Sequence, residues 1–400
     1  MKKIYIAGYH QSKFGKLMGL TVPQILHNAI VEACAHVGCQ PSMLDVGAVG
    51  AACNISLNEQ GLCSGLVAMV PGLGGKAIET VENACASGGQ AVLSTILKLQ
   101  AGWGDVGFAL GYEKMRDAEG KMDGKLIGKA LGYYSHPAER EGKVYVFPHL
   151  FAEVMRDYMV RYGVSERDLA TIAFEEYLNG NSNPYAQMQK VSVTLDEAAN
   201  VGDRNRYIVD GLPLKTYDCS QITDGYATLI LATEDGLAKL GIKKHDCVEI
   251  AGYAQATDPL LKHGRDVLNP AGAKGAMNKA YAMAHASAAD VNVAEVHDCF
   301  TVMGALGTEV IGKAAAGKGA QYWVEGKARV DGECGINLSG GLISKGHPIG
   351  ATGVSMHIMA SMQLMGEAGG MQIPDAKLAG VFNMGGAAVA NFCSILERAR

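Results

Sequence analysis

A rhythm of short apolar runs and helix-length segments occurs twice along this chain, and it constrains the fold more than any single motif. Early on, KIYIAGY reads as a strand, TVPQILHNAIVEACAHVG as an amphipathic helix ending at glycine, and DVGAVGAACN as a strand. SGGQAVLSTILKLQAG then reads as a helix and DVGFALGYE as a buried strand. The last part repeats the pattern. VNVAEVHDCF is a strand, TVMGALGTEVIGKAAAG and GATGVSMHIMASMQLMGEAG are helices, and LAGVFNMGGAAVANFCSILE is a strand, a glycine turn and a strand. Such alternation predicts an α/β fold with mixed or parallel sheet. In both halves a small-residue turn with one reactive side chain, Cys85 and then His347, opens a helix that leads to a glycine-containing strand. That self-similarity predicts an internal duplication, with a cleft where the two halves face each other.

Residues 116–214 break the rhythm. They are richer in charge and tyrosine and hold loops such as LNGNSNPYAQ, so they read as an insertion over the first half. KTYDCSQITDGYATLILAT returns to buried-strand character. The expected organisation is residues 1–115 and 215–240 for the first half, 116–214 for the insertion and 241–400 for the second half.

At 400 residues the chain exceeds one ordinary core. A net charge of −5 gives no global electrostatic case for nucleic acid or an anionic membrane. No apolar stretch reaches membrane-spanning length. The 10 cysteines are dispersed and none form CxxC pairs, which predicts reduced thiols in a cytoplasmic protein. The start, MKKIYIAGYHQSKFG, reads as a first strand rather than a signal peptide, and the final RAR is not an SKL-type address.

Four stretches carry candidate chemistry. In ENACASGGQAV, Cys85 precedes a helix, where free N–H groups favour a thiolate and can hold an oxyanion. A packed cysteine in a small-residue helix contact is the competing reading. In SGGLISKGHPIGATG, His347 sits in a rigid glycine-rich turn suited to activating a thiol, the alternative being a surface loop histidine. VHDCF offers Cys299 as a second acid/base thiol, His297 as a donor to a carbonyl oxygen, and Asp298 to fix local backbone. Its lack of partners at metal-ligand spacing argues against a metal. In FNMGGAAVA, Gly385 and Gly386 make either an oxyanion-binding bend or a plain turn between strands.

Together, and in this order, these stretches resemble the thiolase superfamily. ENACASGG is similar to the nucleophile motif, SGGLISKGHPIGATG to the histidine motif, and SQITDGYATLIL to the returning core strand. HDCF, GGLISKGHP, and YGVSERDLATIA followed by NSNPYAQMQ resemble the sterol-carrier-protein-2-type branch. The resemblance implies two βαβαβαββ halves in α/β/α/β/α layers, an inserted loop domain, and a homodimer or tetramer. It implies interconversion of a 3-oxoacyl-CoA plus CoA with a shortened acyl-CoA plus acetyl- or propionyl-CoA, with CoA as substrate and no permanent cofactor. Other thiolases carry a second catalytic cysteine in a Cys-x-Gly-Gly-like motif, where this chain has FNMGG. In the sterol-carrier branch the HDCF cysteine takes that role, which falls to Cys299 here. The roles implied are Cys85 as nucleophile, His347 as its base, His297 with His347 as enolate-oxygen donors, and the N–H groups of Cys85 and Gly386 as oxyanion donors. Ser344 and Gly346 are expected along the pantetheine channel, and Lys121, Lys125, Arg204 and Arg206 are candidates for the CoA phosphates. Three alternatives stand beside this. One is a ketoacyl-synthase-like condensing enzyme, which usually employs two histidines, or His with Asn. Another is a subunit dependent on a small zinc-ribbon/OB-fold partner. The last is a branched or aromatic substrate of benzoylsuccinyl-CoA type.

Overall fold

The structure, a computed structural model, describes residues 2–400. Its strands are β1 (Tyr5–Gln11), β2 (Val46–Gly50), β3 (Ala77–Val81), β4 (Val106–Glu113), β5 (Gly225–Ala232), β6 (Val248–Thr257), β7 (Val293–Val296), β8 (Gly335–Ile336), β9 (Leu378–Gly385) and β10 (Ala390–Arg398). They lie in the order β3-β2-β4-β5-β1-β6-β10-β9-β7-β8. Read outward from the middle, each half runs first, fifth, fourth, second, third. The directions repeat as well. In each half the first, fifth and fourth strands pair antiparallel, and the fourth, second and third pair parallel. The halves join where β1 meets β6, with Tyr5 opposite Glu249 and Ile6 opposite Val248. The duplication expected from the sequence is therefore present in strand order and direction.

Two helices occupy the space between the half-sheets. Ser87–Gln100 links β3 to β4, and Ile349–Met365 links β8 to β9, the same step of the repeat. The second is buried around nearly its whole circumference, as a helix enclosed by two sheets must be. The two cross on glycine. A Cβ on Gly88 would lie 2.8 Å from Gly350 O, and one on Gly353 only 2.3 Å from Gly89 N. The small residues after Cys85 and His347 are thus the condition for the two helix starts to touch. Helix Val22–Val37 covers β1 and β5 outside, started by a Thr21/Gln24 capping box and stopped by Gly38 at φ 75°. Helix Ala271–Ala284 covers β6 and β10 in the same way, completing five layers.

The insertion departs from β4 and returns at β5, and among the described residues it contains helices and loops but no strand. It lies against the second half as well as the first, a difference from the sequence reading. Helix Glu166–Asn181 packs on the turn Gly341–Lys345 and on helix Thr301–Val310. Phe151 of the insertion stacks on Phe300 with ring centroids 4.4 Å apart. The reason is apolar area: helix Val146–Tyr162 turns Phe151, Val154, Met155 and Tyr158 inward, and they join the second half's core.

Candidate active site

The turn after β3 holds Cys85. Ala84 sits at φ 49°, a left-handed conformation uncommon for a residue with a Cβ. It is held by its N–H donating to Glu82 and by Ser87 Oγ donating to Ala84 O at 2.6 Å. Gly385 presses on the other side, where a Cβ would lie 2.3 Å from Asn83 O. Of the two glycines considered for an oxyanion bend, Gly386 is the one whose N–H lies at the Cys85 sulfur. Gly385 supplies close approach.

His347 follows Gly346, which sits at φ 111°, and the His347 N–H donates to Thr223 Oγ1 at 3.0 Å. VHDCF leaves the end of β7. Asp298 accepts N–H bonds from Leu342 at 2.8 Å and Ile343 at 3.1 Å, fixing the π-helical turn Gly341–Lys345 that leads to His347. Burial and the neighbouring Asp298 push Glu176 well above its ordinary range, and its Oε1 accepts from Asn337 Nδ2 at 2.8 Å.

These turns bring Cys85, His297 and His347 together, with the sulfur and one nitrogen of each ring within 4.8 Å of one another. The rings meet edge to face, centroids 5.0 Å apart. Their hydrogen bonds assign opposite tautomers. Thr352 Oγ1 donates to Pro348 O at 3.1 Å, so it accepts from His347 Nδ1–H at 2.7 Å and leaves Nε2 as a bare acceptor. Asn383 Oδ1 accepts from Gly89 N–H at 3.1 Å, which orients the amide. Its Nδ2 then donates to Cys85 O and to His297 Nδ1, each at 3.1 Å, leaving the proton of His297 on Nε2. Both Nε2 atoms are buried without a protein partner. One imidazole is therefore set to take a proton and the other to give a hydrogen bond.

Burial holds both rings neutral. It pulls His297 well below the ordinary histidine range, with His347 adding to it, and pulls His347 down to about 3, with Lys345 adding to it. The expectation of a thiolate at Cys85 is corrected. Burial and the nearby Glu113 push that thiol up to about 12, against the N–H groups of Gly386 and Cys85. The resting group is a thiol that needs a base. Cys299 is pushed well above its ordinary range, first by burial and then by Cys85, so it too rests protonated.

Three residues here are not singled out by the sequence: Asn383, Thr352 and Glu113. Asn383 stands where a Cys-x-Gly-Gly motif has its thiol, which is the available signal. Glu113 is the one acid ending an apolar strand. It accepts N–H bonds from Cys53 at 2.9 Å, Gly350 at 3.0 Å and Ala52 at 3.2 Å.

The side chain of Ser344 is not on an open channel: it is fully buried, and a Cβ on Gly180 would lie 2.0 Å from its Oγ. Among the candidates for CoA phosphates, Lys121 and Arg204 line separate surface clefts, and Arg204 is paired with Glu197 at 2.7 Å. Arg206 lies 3.9 Å from Asp203. Cys85, His297 and His347 are also, among the described residues, the one thiol–imidazole group close enough to draw round a metal ion. A metal there would take the lone pair of His347 and displace the proton of His297. All ten cysteines are free thiols, and no described helix is long and apolar enough to cross a membrane.

Two family descriptions match the chain: "Thiolase, N-terminal domain" over residues 4–235 and "Thiolase C-terminal domain-like" over residues 254–398. An acetyl-CoA acetyltransferase of Methanothermobacter thermautotrophicus is 32% identical over 390 residues, 96% of this chain and 97% of that protein. Human sterol carrier protein 2 is 30% identical over 406 residues, 96% of this chain and 70% of that protein. Among solved structures, the Ltp2-ChsH2(DUF35) aldolase matches with TM-score 0.81 at 22% identity, covering 100% of this chain and 98% of that one. Human mitochondrial 3-ketoacyl-CoA thiolase matches with TM-score 0.74 at 16% identity, covering 100% and 99%. The last two speak to the fold alone.

Proposed function

Because the chain belongs to the thiolase family, we propose that it is an acyltransferase that cleaves a 3-oxoacyl-CoA with CoA, or runs the reverse condensation, through an acyl thioester on Cys85. The observation that carries this reading is the pair of buried imidazoles with opposite tautomers facing one thiol.

His347 Nε2 takes the Cys85 proton as the sulfur attacks the 3-oxo carbon. The oxyanion that forms meets the N–H groups of Cys85 and Gly386. As the carbonyl re-forms, the Cα–Cβ bond breaks and its electron pair passes to the thioester enolate. His297 Nε2–H holds the enolate oxygen while the Cys299 thiol protonates the carbon. The Cys299 thiolate then takes the proton of an incoming CoA thiol, which attacks the acyl-Cys85 thioester. Cys85 leaves as thiolate and recovers its proton from His347.

Thiolysis of acetoacetyl-CoA, a 2-methyl-3-oxoacyl-CoA and an aryl 3-oxoacyl-CoA by the wild type, Cys85→Ala and Cys299→Ala tests this. The two-thiol assignment predicts that one substrate is cleaved and that both variants lose it. A fully active Cys299→Ala would remove Cys299 from the mechanism. A second reading, that the chain works with a small zinc-ribbon/OB-fold partner on a bulky acyl group, is favoured by the whole-chain likeness to an aldolase whose name joins two proteins. A small zinc protein that copurifies, and whose addition switches on activity, is the expected result in that case.

A further inference from the structure

The loop that leaves β6 wraps the β9–β10 turn. Asp258 N–H donates to Val389 O at 2.8 Å, and Arg265 Nη1 donates to Ala388 O at 3.4 Å. On its other side the loop is tied to the insertion. Lys262 N–H donates to Glu139 Oε1 at 2.7 Å, and the Lys262 ammonium bonds Glu153. The two remaining donor atoms of Arg265, Nε and Nη2, are shielded from solvent and have no hydrogen-bond partner.

Those two atoms share one edge of the guanidinium, the fork that takes a carboxylate or phosphate in two parallel bonds. Shielded donors without a partner are costly, and buried polar groups left unpaired call for an explanation. Asp258 and Glu139 face Arg265, but neither is hydrogen-bonded to the fork. Its position says which anion fits. Ala388 lies two residues after Gly386, whose N–H is at the Cys85 sulfur. Three residues of chain span at most about 11 Å. Arg265 is thereby tied to the turn beside Cys85, whereas the phosphates of CoA stand a pantetheine arm away from its thiol.

We infer that Arg265 binds a free carboxylate on the acyl portion of the substrate, so that the preferred 3-oxoacyl-CoA is an acidic one. This rests on the thiolase reading and deepens it. The test is the ratio of kcat/KM for 3-oxoadipyl-CoA over its methyl ester, with all copurifying chains present, in the wild type, Arg265→Gln and Arg265→Lys. The wild type is expected to favour the acid by on the order of 10²-fold or more, because a site built for a charged group rejects the analogue lacking it. Arg265→Gln is expected to bring the ratio near one, and Arg265→Lys to recover little of it. A wild-type ratio near one overturns the inference, whether or not the variants fold. So does a ratio that survives Arg265→Gln. An equal loss on acid and ester with a raised KM for CoA assigns the fork to a CoA phosphate and overturns the carboxylate. If neither substrate turns over, the thiolase reading fails. Calorimetric binding of succinyl-CoA against its methyl ester, to wild type and Arg265→Gln, then decides Arg265 alone: equal affinities overturn it.

Discussion

In the first half, the connection from the fourth to the fifth strand of the repeat runs from Lys114 to Asp224. In the second half the same connection is the turn Gly386–Val389. The long version supplies helices that pack over the second half. The short one keeps Gly386 against the Cys85 sulfur. A deeper symmetry lies under this difference. A side chain from the end of each fourth strand accepts an N–H from the first turn of the other half's central helix: Glu113 from Gly350, and Asn383 from Gly89. The scaffold therefore offers two equivalent helix starts, each steadied by the opposite half. Chemistry enters through three unlike pairs, Cys85 against His347, Glu113 against Asn383, and the long connection against the short.

The harshest way to break the comparison is to remove what makes the two helix starts differ. Cys85→Ala and His347→Ala are each expected to lower kcat by roughly 10⁵–10⁶-fold, and the double variant to be no worse than either, because nucleophile and base act as a unit. Single-turnover acylation measures this. Additive losses would mean that His347 serves another step.

Cys299→Ala separates the two chemical steps. Acyl exchange between CoA and acyl-Cys85 needs no carbon acid, so carbon–carbon cleavage is expected to fall by about 10²–10⁴-fold and acyl exchange by less. Isotope exchange between labelled CoA and acetyl-CoA reads the second step alone. Equal losses in both would mean that Cys299 matters as much to the attack of CoA as to the protonation of carbon.

Asn383→Asp tests the amide–acid asymmetry at constant shape. A carboxylate cannot donate to His297 Nδ1, so the ring would turn its proton toward the new carboxylate and leave Nε2 without one. The loss of that enolate donor is expected to lower kcat by about 10²–10³-fold. Nitrogen NMR of His297 reports the tautomer directly, and an unchanged tautomer would remove Asn383 from its positioning role.

What is legible in the sequence follows from how far each signal reaches along the chain. Strand and helix runs such as DVGFALGYE and SGGQAVLSTILKLQ are local and periodic, and they appear as β4 and the helix Ser87–Gln100. Cys85 and His347 announce themselves by reactive groups set among glycine and other small residues, and Cys299 by the imidazole and carboxylate beside it in VHDCF. Asn383 does not, because its three bonds go to Gly89, Cys85 and His297, residues remote in sequence. The thiolate expected at Cys85 fails for a related reason. The helix N-terminus is visible in the sequence, while the burial and Glu113 that outweigh it belong to the tertiary structure. Arg265 sits in a loop with no motif at all. Only the unpaired edge of its guanidinium distinguishes it from a surface cation.

Glu113 gives the gentlest test, and it concerns stability as well as chemistry. Burial lifts its carboxyl from 4.5 to about 7, against the N–H bonds of Cys53, Gly350 and Ala52. A folded-state pKa above the unfolded one means that the native protein holds the proton more tightly. The stability this contributes is complete below about pH 4.5 and is lost as pH rises through about 7, a change of roughly 3 kcal/mol at most. Glu113→Gln has no such proton to lose. The stability of wild type minus that of Glu113→Gln, from urea midpoints, is therefore expected to fall as pH rises from about 5 to about 8. A difference that stays flat would mean that the three N–H bonds keep Glu113 ionised throughout. The same carboxylate raises the Cys85 thiol, so Glu113→Gln is also expected to shift the pH profile of Cys85 alkylation downward. A residue that merely braced the two halves would change the stability and leave that profile where it was.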